Sequence, residues 1–162
     1  MLKESGWYQG RDILDSIDLP PKFQMFSAAS QVLKKFGLLQ VGQSGAGITC
    51  ARSTIVFDPM LADGEDDRFL DWSTEINMPL YPLGSVDDRS FFLAIDKLGR
   101  TFLVMEGLVF MNINFDRALD KLLVGIDGPY VENENDISAA IVDMYRHAAE
   151  QPTHLPPLIT AP

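Results

Sequence analysis

Side chains able to do chemistry are few in this chain, and the glycine-rich run GQSGAG at 42–47, with Ser44 inside it, is the first to test. A glycine-rich turn can cradle phosphate, but a P-loop ends in Gly-Lys-Ser/Thr and a dinucleotide fingerprint runs Gly-x-Gly-x-x-Gly into a helix. GQSGAG does neither, and the residues after it, ITCARSTIVF, read as a strand, so a flexible hairpin loop is the expectation. Ser44 also fails as a nucleophile elbow, which wants Gly-x-Ser-x-Gly, because the second residue after it is Ala46. His147 falls on the polar side of a terminal helix and His154 in a proline-rich tail, so neither is positioned as a general base. Cys50, the single cysteine, lies among apolar strand-like residues and is expected to be a buried, inert thiol. It cannot form an internal disulfide, and no histidine or cysteine cluster has metal-ligand spacing. Adjacent carboxylates such as Asp66 with Asp67 or Asp87 with Asp88 fall in polar segments, whereas acid–base work needs burial or close pairing to separate their pKa values. The reading is therefore a protein with no enzymatic activity, no cofactor and no metal.

Charge is more informative. Thirteen Lys and Arg against 23 Asp and Glu leave a formal charge of −10, which opposes direct binding of nucleic acid or an anionic membrane and favours a basic protein partner. The acid residues concentrate at Asp58, Asp63, Glu65, Asp66, Asp67, Asp71 and Glu75, with Arg68 the one base among them. Complementarity to a helix N-terminus explains Glu65, Asp66 and Asp67, but leaves Asp58 and Glu75 without a role. This segment, with Asp87 and Asp88 as a second acidic site, is the expected partner-binding surface. The N-terminus lacks the apolar core of a secretory signal, and no apolar run approaches the roughly 20 residues of a membrane helix, so the expected location is cytoplasmic.

The elements that carry these residues follow from periodicity. Pro20 and Pro21 suit the start of a helix from about Lys22, with Phe23, Phe26, Ala29, Leu33 and Phe36 on its apolar stripe and Gly37 as its stop. A short helix carries Phe69, Trp72 and Ile76 behind the acidic cluster. LYPLGSV, SFFLAID, RTFLVME and LVFMNI read as strands, the middle two joined by a tight turn through Lys97, Leu98 and Gly99. Both alternating faces of SFFLAID are apolar, Phe91, Leu93 and Ile95 against Phe92 and Ala94, which predicts a central strand covered on both sides. Asn114 or Asp116 caps a helix that ends at Gly125. DGPYVENEND reads as a polar linker, and Asp136 as the cap of a last helix with Ile137, Ile141, Met144, Tyr145 and Ala148 on its apolar stripe. The tail at 151–162, with four prolines, reads as extended or disordered. The fold class is α+β: one domain, mostly antiparallel sheet with packed helices.

Several motifs recur in a fixed order: Gly6, Trp7, Gly10 and Arg11 in GWYQGR; Phe36 and Gly37 at the helix end; Tyr81, Pro82, Leu83 and Gly84 in a strand; Ile95, Asp96 and Gly99 at a hairpin; and Gly125 closing ALDKLLVG. Their order and spacing over about residues 5–126 resemble the third subfamily of the SUKH superfamily of immunity and interaction proteins. The family often has a second glycine after Phe-Gly, where this chain has Leu38.

The resemblance implies an immunity domain over 1–126, followed by a linker and packed C-terminal helix at 127–150 and the tail at 151–162. It further implies an antidote of polymorphic toxin systems whose partner is a cognate toxin, often a nuclease or nucleic-acid deaminase. The motif residues then look structural: glycines for turns, Trp7 and Tyr81 for packing, Asp96 for a turn hydrogen bond. A non-catalytic scaffold or regulatory module is the alternative, because other members of the superfamily serve such roles.

Overall fold

The computed structural model describes residues 1–150; the 151–162 tail, with His154, lies outside the described residues. Among the described residues seven strands, Gln40–Val41 (β1), Ile55–Val56 (β2), Leu80–Val86 (β3), Phe91–Asp96 (β4), Thr101–Val104 (β5), Leu108–Asn112 (β6) and Tyr130–Val131 (β7), form one antiparallel sheet in sequence order. β4 is its middle strand. Four α-helices among the same residues, Ser27–Phe36 (α1), Asp66–Glu75 (α2), Phe115–Val124 (α3) and Glu134–Glu150 (α4), complete an α+β domain.

Alternation along the strands sends apolar side chains to two separate cores. Leu93, Ile95, Val109 and Met111 meet α1 and α3 on one face, while Phe92, Ala94, Phe102 and Phe110 meet α2 and α4 on the other. The first core centres on Phe36, whose ring packs against Trp7, Phe57 and Phe115. Phe23 reaches the second, edge-on to Phe69 at 5.2 Å, and also meets Tyr81. Burial pushes the Tyr81 phenol up to about 12, so the ring enters the core neutral.

Several local expectations are corrected. α1 starts at Ser27, not Lys22: Phe23 and Phe26 belong to the irregular segment before it, with Phe26 extended at φ −136°. A helix through Phe23 would point that ring down α1's own stripe, whereas it bridges to Phe69 and Tyr81. The segment called a polar linker contains β7, which pairs with β6 as Leu108 opposite Val131 and Val109 opposite Tyr130. Two residues of strand carry too little periodicity to show in a sequence. Asn133, not Asp136, caps α4: its Oδ1 accepts from the Asp136 N–H at 3.0 Å, and Asp136 reaches back to the N–H of Glu132. On α4, Ile137 and Ala140 are buried, but Tyr145 is 62% exposed and Ala148 is exposed, because the helix outruns the sheet beneath it.

Gly37 ends α1 by fitting where no side chain can. Its φ is −49°, and a Cβ there would lie 2.5 Å from the Leu33 carbonyl oxygen. The left-handed residue is Leu38, at φ 65° and 53% exposed.

A buried ion chain ties the C-terminal segment to the sheet. Asp96, fully buried, accepts from the N–H groups of Leu98 and Arg100 and, at 2.6 Å, from Arg100 Nε. Arg100 continues with a two-pronged contact to Glu134 at 2.7 and 3.2 Å. Burial raises the Asp96 carboxyl above its usual range against the pull of these donors; desolvation also opposes the charge on Arg100, but the two carboxylates outweigh it and hold the guanidinium above its usual value.

Two expected outcomes follow for stability in denaturant unfolding. Leu38→Gly should raise it by up to about 1 kcal/mol, since relief of left-handed strain exceeds the entropy that glycine adds to the unfolded chain, while Gly37→Ala lowers it. Arg100→Ala should cost about 3–5 kcal/mol by stranding Asp96, whereas Glu134→Ala, removing a half-exposed partner, should cost about 1 kcal/mol or less.

Candidate functional site

The structure does not gather the whole acidic segment into one patch. One side of α2 presents Arg68, Asp71, Trp72 and Glu75, at three- and four-residue spacing, toward the β5–β6 turn at Met105 and Glu106. Together with Glu65 and Asp67 these enclose an open groove of about 540 Å³. Trp72 forms part of its wall and donates its indole N–H to the Met105 carbonyl at 3.3 Å, while Arg68 lies against the Met105 sulfur and pairs with Glu65 at 3.3 Å. Five carboxylates, from Glu65, Asp67, Asp71, Glu75 and Glu106, thus face one guanidinium across a half-buried aromatic surface.

Glu106 is absent from the acidic residues read from sequence. A lone Glu in a hairpin turn carries no periodic or motif signal, and only strand pairing brings it to α2. Of the others, Asp66 turns away and pairs with Lys22 at 3.8 Å, Asp58 accepts from the Met60 N–H to start the 3-10 turn Pro59–Ala62, and Asp63 is exposed just beyond it. Asp87 and Asp88 occupy the β3–β4 turn, both exposed and both at positive φ. That turn and the β5–β6 turn lie at the same end of the sheet, since Val86 pairs with Phe91 and Phe92 with Val104.

The motif residues hold the frame behind this surface. Trp7 stacks on Phe36, with ring centroids 6.5 Å apart, and Arg11 donates to the Lys35 carbonyl at the C-terminal end of α1. Gly6 and Gly10 sit at positive φ beside them. Pro82 and Gly84 flank an irregularity in the β3–β4 register, and a Cβ on Gly84 would strike the Val56 carbonyl. Gly99 closes the turn that Asp96 organises.

GQSGAG is not a free hairpin. It starts a long loop, 42–54, clamped onto the C-terminal end of α3. The N–H of Ile48 donates to Val124, those of Thr49 and Cys50 to Gly125, and Gln43 Nε2 to Leu122. Gly47 and Gly125 meet backbone to backbone: a Cβ on Gly47 would lie 2.5 Å from the Gly125 Cα. Cys50, expected to be buried in a strand, is exposed on this loop. The partial desolvation of its thiol and the nearby Asp127 carboxylate push its pKa up, away from the thiolate a nucleophile needs. Among the described residues no group of His, Cys, Asp and Glu is arranged to hold a metal ion, and no helix is long and apolar enough to cross a membrane.

The molecule is thus a two-faced α+β domain with an open acidic groove beside α2. A family model described as SUKH-3 immunity protein matches residues 1–125, and the chain belongs to that family. No curated protein and no solved structure matches the chain.

Gly47→Ala should lift the loop from α3. In a pH series of labelling with a thiol reagent, the apparent Cys50 pKa should fall back toward that of an ordinary cysteine; an unmoved profile would show that the clamp does not set the thiol's environment.

Proposed function

We propose that this protein is a cytoplasmic antidote that binds a cognate toxin without catalysis, and that the groove between α2 and the β5–β6 turn receives a basic surface of that toxin. The observation that carries the reading is the groove: five carboxylates from two elements around the Trp72 indole, with one guanidinium among them. Membership of an immunity family supports the toxin as the partner. Nucleases and nucleic-acid-modifying toxins offer the matching surface, because a groove that binds phosphates is lined with Lys and Arg. Carboxylates seated there exclude the nucleic acid.

The net charge of −10 speeds encounter with such a partner, and Asp58, Asp63, Asp66, Asp87 and Asp88 contribute to that field around the groove. In this reading residues 1–126 are the antidote domain, and 127–150 complete its sheet and cover its second face.

The cognate toxin domain is the probe. It should form a stoichiometric complex with the protein and lose its activity. Lysine at Asp67, Asp71, Glu75 and Glu106, all exposed, changes the local charge by about eight units. In stopped-flow measurements it should slow association by more than about tenfold and flatten the salt dependence, with stability held within about 1 kcal/mol. An unchanged on-rate and salt slope would exclude the groove as the toxin-facing surface.

A further inference from the structure

The acidic groove is one end of a longer trough. Arg68, Met105 and Glu106 are shared with a second depression that adds Gly107, Phe91 and Tyr130, and Phe91 and Tyr130 are in turn shared with a third. The three run in series across the end of the sheet, from α2 to the clamped 42–54 loop. Tyr130, 71% exposed, stands at the junction. It lies so close over the β5–β6 turn that a Cβ on Gly107 would be 2.9 Å from its ring.

The third depression differs in character from the acidic end. It is a cavity of about 330 Å³ whose interior is apolar, formed by Phe91, Leu103, Val109, Met111 and Leu122, and whose mouth carries Cys50, Asp87 and Asp127. That volume is at the lower limit for small-molecule sites, and suits one bulky side chain. Carboxylates at the mouth select an apolar group flanked by positive charge. The far wall, from Ile126 to Tyr130, lies beyond the residues that match the family.

Resting on the toxin-binding reading above, we propose that this cavity is a second anchor for the same partner: it takes a bulky apolar side chain from a basic segment of the toxin that lies along the trough. The two ends divide the work. The acidic groove steers encounter, and the cavity sets the lifetime of the complex, because a buried apolar anchor acts mainly on dissociation.

Two plugs test this with the toxin domain as probe and dissociation rate as readout. Ala51→Trp fills the mouth from an exposed position. Cys50, as the only cysteine, can be capped on the folded protein with either a methylthio group or a bulky aryl maleimide. Ala51→Trp and the bulky cap should each speed dissociation by about tenfold or more, equivalent to about 1.4 kcal/mol, with on-rate and salt slope unchanged and the small cap without effect. Unchanged dissociation from both plugs overturns the proposal, as does equal weakening by the small and bulky caps, which would indicate contact at the rim alone. A loss confined to the active fraction, with rate constants unchanged, reflects misfolding and overturns it too. If the unmodified protein does not bind the toxin at all, the toxin-binding reading itself fails, which is distinct from any of these results.

Discussion

A sheet whose middle strand is apolar on both faces cannot be left half open to water, and the rest of this structure answers to that constraint. Phe92 and Ala94 demand a cover as much as Leu93 and Ile95 do, so helices must close both sides. α1 and α3 supply one layer, and α2 and α4 the other. Because α2 is needed on the second face, its outer side projects beside the strand ends. That is where the groove forms.

The turns at that end of the sheet then line the groove and the cavity without needing structure of their own. The β5–β6 turn contributes Met105 and Glu106 to the groove and Gly107 to the seat of Tyr130, while the β3–β4 turn holds Asp87 at the mouth of the apolar cavity. The 42–54 loop is held by backbone hydrogen bonds to the end of α3 and by the Gly47–Gly125 contact. Fixed turns on a covered sheet present side chains at constant separations, which limits the entropy lost when a partner docks.

The Asp96–Arg100–Glu134 ion chain shows how the segment after 125 joins the domain. Asp96 organises the β4–β5 turn through the N–H groups of Leu98 and Arg100, and Arg100 extends the same network to the first turn of α4. α4 buries Ile137 and Ala140, with Ile141 and Met144 partly buried against the same core.

Composition, alternation and motif order in the sequence determined the α+β class, the central double-faced strand, the short acidic helix, the Gly125 helix end and the family, because each is written in local periodicity or fixed spacing, while the structure chose Asn114 over Asp116 as the cap of α3. The start of α1, the clamped loop, the exposure of Cys50, the strand β7 and the left-handed Leu38 were decided by tertiary contacts. Phe23 leaves the helix to reach Phe69 and Tyr81, and the loop's N–H groups find carbonyls on a helix more than 70 residues away in sequence, as in the Gln43–Leu122 hydrogen bond. The groove is divided in the same way: α2's spacing placed Asp71 and Glu75 on one side of a helix, but only the pairing of β5 with β6 brought Glu106 across to face them. Local pattern records which residues share an element's face; which faces meet depends on burying both sides of the sheet at once, and that is a property of the folded whole.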